Sequence, residues 1–295
     1  MKLSSAVAIA LIVFLSTAGQ ARTWRVNQDG TGDAPTIQAA VDSSVAMDTI
    51  LVAPGTYVQQ FILLAGVSNL TLLSESGADE TFLHTSMGTV GDHYVIKGFT
   101  FEGTLEGALG ISMSHDIVIE ENVFRNNGSA IYADFMSYNI KIRNNLIYAN
   151  GYGIGLFDSS GGAEISYNTI SHNTSVGLGT DGSCGNILHH NIISYNKIGF
   201  FGFCPSQFQC NDIFGNDSIS DPPAAGTNGN IAVDPRFCGS DPKASGNYFL
   251  QSGSPCAPGN HPDAYPCGLI GASPVGCQEM SVRKSSWGAI KAIYK

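Results

Sequence analysis

Asparagine returns in this chain at a fixed step of 23 residues. The stretches ENVFRNNG (121–128), NNLIYANG (144–151), YNTISHNT (167–174) and HNIISYNK (190–197) each hold two asparagines five residues apart. Asn122, Asn145, Asn168 and Asn191 form one series, and Asn127, Asn150, Asn173 and Asn196 the other. A shorter step of 20 leads to Asn211 and Asn216. Apolar residues keep the same interval: Ile96, Ile119, Ile142, Ile165 and Leu188 make one column, and Phe101, Phe124, Ile147, Ile170 and Ile193 another. A period of this length means stacked units, because one unit alone cannot bury its apolar face.

Two architectures have periods in the twenties. IVIEENVF (117–124) and IKIRNNLI (140–147) satisfy the core string of a leucine-rich repeat. That repeat needs a further leucine three residues upstream, where this chain has Ser114 and Ser137. The second halves, such as SAIYADFMSY and SVGLGTDGSCG, are short, glycine-rich and loosely alternating, which suits strands and turns rather than helix. The expected fold is therefore all-β: a right-handed parallel β-helix, a solenoid of 23-residue rungs with three short strands each. About seven rungs between Thr49 and Asn216 give a rod of roughly 30–35 Å at the usual strand spacing. Within it the asparagines are expected to turn the chain through the left-handed conformation and to stack as a ladder of amides.

The segment RVNQDGTGDAPTIQAAVDSSVAMDTILVAPGTY (25–57) combines a D-G-T-G turn, a short amphipathic stretch, a strand and a P-G-T-Y turn. It resembles the entry of pectin-lyase-like β-helix proteins, a resemblance that extends over most of residues 23–216 and implies the fold more than any chemistry. Pro35 suits a first helical turn, and Ile37, Ala40, Val41 and Val45 lie at helical spacing. The expected helix would cap the open N-terminal end of the stack. The period stops after Asn216. The Pro-, Gly- and Cys-rich stretch 228–277 resembles the closing segment of secreted bacterial β-helix proteins and is expected to fold over the C-terminal end of the stack.

Residues 1–21, MKLSSAVAIALIVFLSTAGQA, read as an export signal: an early lysine, an apolar run too short to span a bilayer, and small residues before the cut. All seven cysteines lie between Cys184 and Cys277 without a paired C-x₂-C, so disulfides are expected there rather than zinc, with one thiol left over. The resulting division is signal 1–21, capped β-helix 22–216, disulfide-bearing closing segment 217–279 and a basic tail 280–295. That tail (SVRKSSWGAIKAIYK and its leading Met280) fits either a terminal helix or a sorting element read by secretion machinery. The expected location is secreted, cell-surface or periplasmic, in a bacterium, with no transmembrane segment once the signal is removed.

The formal charge of −10 argues against a nucleic-acid partner, which needs a basic stripe. It also argues against an anionic polysaccharide held by direct contacts, unless a cation or a local basic patch intervenes. A β-eliminating lyase would need a basic residue at the uronate carbon and a positive centre for its carboxylate. Stepping by 23 brings Lys141, Arg143, Glu164 and His189 to one side of the rod, the best candidates for such a site. GTDG (179–182) echoes one element of polygalacturonases, but the paired aspartates and G-H-G are missing, and the catalytic stretches of pectinesterases have no match. Asp134, Asp158 and Asp181 recur at 24 and 23. They are turn residues or, if a cation bridges them, a Ca²⁺ site. His172, His189 and His190 lie beside ladder asparagines, where they are expected to face solvent or a turn, with no metal-ligand spacing. Phe200, Phe201 and Phe203 would stack on sugar rings where alternation exposes them. Apart from that Ca²⁺ the sequence points to no cofactor. The sequence favours a scaffold that binds polysaccharide or another cell-surface component, with a polysaccharide lyase as the alternative.

Overall fold

The computed structural model describes residues 21–59, 61–157, 161–202, 206–219 and 225–277. The expected export signal, up to residue 20, and the expected basic tail 280–295 lie outside the described residues. The chain winds as a right-handed parallel β-helix in which every named strand pair is parallel. Three sheets of nine, eight and seven strands form its faces. The nine-stranded sheet runs from Thr23–Val26 through Val118–Glu120, Lys141–Arg143 and Glu164–Ser166 to Gln207–Gln209. The eight-stranded sheet runs from Gly55–Tyr57 to Asp212–Phe214, and the seven-stranded sheet from Ile62–Ala65 to Ile198–Gly202.

The 23-residue step is the register of the stack. Ile96 pairs with Ile119, Ile119 with Ile142, Ile142 with Ile165 and Ile165 with Leu188. Phe101, Phe124, Ile147, Ile170 and Ile193 pair likewise. All ten side chains are fully buried. The rings of Phe101 and Phe124 stack at 4.7 Å and 5°, so successive turns pack like on like. Because strands alternate their side chains, each three-residue strand points its central residue inward and leaves its flanks for the surface.

The asparagine series are buried and bonded. Asn122 Nδ2 donates to Asn145 Oδ1 at 3.2 Å, Asn145 to Asn168 at 3.0 Å, Asn168 to Asn191 at 3.0 Å, and the row continues through Asn211 to Asn230. The second row links Asn127, Asn150, Asn173, Asn196 and Asn216 in the same way. Its first member is satisfied by Thr104, whose N–H and hydroxyl both donate to Asn127 Oδ1. The left-handed residue is not the ladder asparagine but the one before it: Glu121, Asn126, Asn144, Ala149, Tyr167, His172, His190, Tyr195 and Cys210 have φ from 53° to 57°. The amide that follows ties down this bend. Asn145 Nδ2, for example, donates to the carbonyls of Arg143, on its own turn, and Ile119, on the turn before. With the bend held from inside, the left-handed position accepts several residue types despite the usual cost of about 1 kcal/mol.

The helix Ile37–Ser43 covers the N-terminal end with Ile37, Ala40 and Val41 buried. Thr36 is its cap, accepting from Ala39 N, so Pro35 lies just outside the helix. Val45 is exposed because Asp48 Oδ2 takes its N–H and draws the chain away into the next strand.

The closing segment departs from the sequence expectation. It does not simply cover the end but lies back along the outer face of the eight-stranded sheet. There Val123, Leu146, Tyr148 and Ile192 form a second apolar cluster with Phe237, Tyr248, Leu250 and Ile270. The outer flank of that sheet is apolar and has to be covered. His172 and His190 therefore face this segment rather than solvent: Tyr248 Oη lies 3.1 Å from His172 Nδ1, and Gly271 N donates to His190 O. Burial holds both imidazoles below their usual range. Disulfides join Cys210 to Cys267 and Cys238 to Cys277, and Cys184 is also disulfide-bonded. Cys256 is free and buried.

Cys256 donates its S–H to Asp212 Oδ2 at 3.2 Å, and Val233 N donates to Oδ1 at 3.1 Å. Burial lifts the Asp212 carboxyl to about 7, against the pull of those two bonds. A carboxyl raised in the fold favours folding while protonated. Its contribution is complete below the unfolded value near 4 and is lost as pH rises through about 7. Asp212→Asn removes this dependence. Between pH 4 and 8 the wild type is expected to lose about 4 kcal/mol relative to the variant. Chemical denaturation of both proteins across that range tests this, and a constant difference would contradict it.

Candidate functional site

The four lyase candidates lie on the outer flank of the nine-stranded sheet. Lys141 pairs with Glu164, and Arg143 with Ser166, which pairs with His189. They share a face, but the charge of Arg143 is already engaged. Arg143 donates to Glu120 Oε2 at 2.8 Å. Lys97 bonds Glu120 and Glu121 from the turn before. Burial raises the Glu120 carboxyl, yet the bonds from Lys97 and Arg143 outweigh it and hold it below the usual range. His189 Nε2 lies 3.4 Å from Glu164, while its Nδ1 faces His190 Nδ1 at 2.9 Å. Lys141 alone of the set has no ion pair among the described residues. A guanidinium bridged to a fixed carboxylate neutralises that carboxylate rather than a substrate's.

Asp134 ends the strand Ser129–Asp134, and Asp181 is exposed after Val176–Thr180. Asp158 lies outside the described residues, as do Phe203 and Cys204. Phe200 points inward and is buried, with Phe201 beside it on the outer flank.

A different group converges at the corner between the seven- and nine-stranded sheets. Here the chain leaves Met87–Asp92 and enters Val95–Lys97, then repeats the corner one turn later between Gly107–His115 and Val118–Glu120. Stacked in register are Asp92 and His115, with Tyr138 beyond them, and in the next column His93, Asp116 and Asn139. Among the described residues, His93, His115 and Asp116 are the one set of three His, Cys, Asp or Glu side chains whose donor atoms all lie within 4.8 Å. Asp116 Oδ2 is 2.8 Å from His115 Nδ1 and 3.6 Å from His93 Nδ1. His115 Nε2 lies 2.8 Å from Asp92 Oδ1, and Asn139 Nδ2 donates to Asp116 Oδ1. Tyr138 stacks on the His115 ring at 4.8 Å. The hydrogen bond from His115, first, and then that from Asn139 hold the Asp116 carboxyl below its ordinary range.

His93, Asp116 and Asn139 are all left-handed, with φ of 60°, 58° and 53°. The same corner on the next two turns is Gly162 and Gly185, φ 68° and 73°. A position that glycine fills at no cost thus carries His and Asp on two adjacent turns. The signal was in the sequence as the pairs Asp92-His93, His115-Asp116 and Tyr138-Asn139, one repeat apart.

A groove of about 510 Å³ opens on the seven-stranded sheet. The outer column of that sheet reads Leu63, Gly88, Gly110, Tyr132, Gly155, Gly179 in register. Phe157 folds over Gly155 and Tyr152 over Gly179, so a β-carbon there would meet the Phe157 ring at 2.4 Å and the Tyr152 hydroxyl at 2.0 Å. Gly110 is left open, with nothing nearer than 3.9 Å, while the tip of Phe61 and a methyl of Leu63 reach over Gly88. The result is a trough floored by glycine, with Phe61 and Leu63 at one end and Tyr132 and Phe135 at the other, all four exposed. Among the described residues its charged lining is Glu106 and Asp134, with no Lys or Arg.

Residues 41–250 match the family described as "Periplasmic copper-binding protein (NosD)". No curated protein matches the chain. Among solved structures, the pectate lyase Pel9A is similar over 86% of this chain and 96% of its own, at 13% identity and a TM-score of 0.59. A rhamnogalacturonan lyase is similar over 66% and 69%, at 13% identity and 0.47. The alginate lyase from Paenibacillus sp. str. FPU-7 is similar over 69% and 89%, at 15% identity and 0.46. At these identities the likeness is one of fold.

Proposed function

The chain belongs to the NosD family of periplasmic β-helix proteins, and from that premise we propose that it is a binding rod, holding a saccharide on the seven-stranded face without transforming it. Its disulfides are consistent with export, and no helix among the described residues is long and apolar enough to cross a membrane. The observation that carries the reading is the glycine-floored trough between Phe61 and Tyr132. A sugar ring offers apolar C–H faces and a polar rim. Exposed aromatic walls stack on the former, and Glu106, Asp134 and nearby serines accept or donate to the latter. The acidic lining favours a neutral saccharide over a uronate.

The lyase reading would need two positive groups, a base and a centre for the substrate carboxylate; Arg143 spends its charge on Glu120, which leaves Lys141 as the unpaired cation of that set among the described residues. The copper of the family's description is suited by imidazole, which the described residues offer at the His93–His115 corner.

The test is retention on immobilised neutral and uronate polysaccharides in the presence of a chelator, with ultraviolet absorbance followed for unsaturated product. Retention on a neutral saccharide without product is expected. Turnover of a uronate polymer that disappears in Arg143→Ala would overturn the reading.

A further inference from the structure

The corner cluster has the layout of a metal site with its supporting bonds already in place. We propose that His93 Nδ1, His115 Nδ1 and Asp116 Oδ2 bind one late first-row transition-metal ion of the Cu(II) or Zn(II) class. Ligand atoms at about 2.0–2.1 Å from such an ion sit roughly 2.9–3.4 Å from one another. The 2.8 and 3.6 Å separations from Asp116 Oδ2 bracket that interval, so small side-chain rotations close the site. The ion takes the place of the hydrogen between His115 Nδ1 and Asp116 Oδ2, and that proton leaves to solvent.

The second observation is what the other side of each ligand does. A metal-bound imidazole characteristically donates its remaining N–H to a carboxylate, and a ligating carboxylate is itself hydrogen-bonded. His115 Nε2 faces Asp92 Oδ1, and Asn139 donates to the Asp116 oxygen turned away from the imidazoles. Tyr138, stacked on the ring, fixes its plane. Asp92 and Asp116 together balance a divalent charge. Two imidazoles with one carboxylate suit Cu(II) or Zn(II) and not Ca²⁺, which takes six to eight oxygens. His93 is exposed, so the remaining coordination positions open to water and the ion can exchange.

This site shares no residue with the lining of the trough. Saccharide retention is read under chelator, so failure of one proposal leaves the other standing. The test is calorimetric titration of the full chain, stripped by chelator, with Cu(II), Zn(II) and Ca²⁺ in separate runs. One equivalent of Cu(II) or Zn(II) per chain is expected, with no Ca²⁺ uptake at the same concentrations. The Cu(II) form should show two-nitrogen coupling in its paramagnetic resonance spectrum. Asp92→Asn, which leaves all three ligands, is expected to weaken affinity about 10–100-fold. The double variant His93→Asn/His115→Gln keeps a residue that tolerates the left-handed corner and should lose the equivalent. It should also lose the rise in Tm on adding metal, with Tm of the metal-free form little changed. His189→Gln should bind as the wild type does. Undiminished binding in the double variant, wild-type affinity in Asp92→Asn, or equal uptake of Ca²⁺ would each overturn the proposal.

Discussion

Asn145→Leu is expected to lower the melting temperature by at least roughly 6 °C, or to prevent soluble expression altogether. Asn145 sits mid-stack and fully buried. Its Oδ1 accepts from Asn122 N and Nδ2, and its Nδ2 donates to Asn168 Oδ1, Ile119 O and Arg143 O. Leucine is similar in size but offers no polar atom. The Asn122 N–H, one hydrogen of the Asn122 amide and the Ile119 carbonyl then lose partners where water does not reach. At about 1–3 kcal/mol for each orphaned group, the loss is roughly 3–9 kcal/mol. For a chain of this size each kcal/mol shifts Tm by about 2–4 °C. Thermal unfolding followed by circular dichroism checks the value. An undisturbed Tm accompanied by loss of ligand would make the ladder a site rather than a support.

Breaking the Cys210–Cys267 disulfide with paired serines is the next largest effect. The bond ties the last turn of the rod to the closing segment across 57 residues. Loop-closure entropy for that span is worth about 4 kcal/mol at 25 °C. The loss should be local first. The closing segment is held by the apolar patch around Leu146, Tyr148 and Ile192, so its release uncovers that patch while the upper turns stay folded. Proteolysis should therefore cut the double variant within residues 228–277 well before the rod. Cleavage there at the wild-type rate would show that packing alone secures the segment.

The parts of this molecule that were legible in its sequence are those in which one turn copies the next. Ile96, Ile119 and Ile142 announce the register because every turn between them has the same length, and parallel stacking turns equal length into direct contact. Asn122 and Asn145 announce a ladder for the same reason. The left-handed bend was misplaced by one residue, because a buried amide can hold a neighbour's backbone in a conformation that neighbour would not choose alone. The corner at His93 and Asp116 obeys the period but went unseen, because it is spelled by different residues on each turn and its chemistry lies between turns. The trough could not be read at all. It depends on Phe157 folding back over Gly155 while nothing folds over Gly110, a difference set by side-chain packing. The placement of the closing segment was hidden in the flanks of strands, where Leu146 and Ile192 look like extra core residues until the sheet shows that they face outward.

Binding on the seven-stranded face is tested most directly by titrating the retained saccharide, under chelator, into Tyr132→Ala and Arg143→Ala side by side. Tyr132 walls the trough, whereas Arg143 lies on the nine-stranded face. The expected result is a loss of at least roughly tenfold for Tyr132→Ala, about the 1.4 kcal/mol that an aromatic stacking contact supplies, with Arg143→Ala unchanged and both proteins folded. Unchanged affinity in Tyr132→Ala together with lost affinity in Arg143→Ala would move the function to the other face and contradict the account.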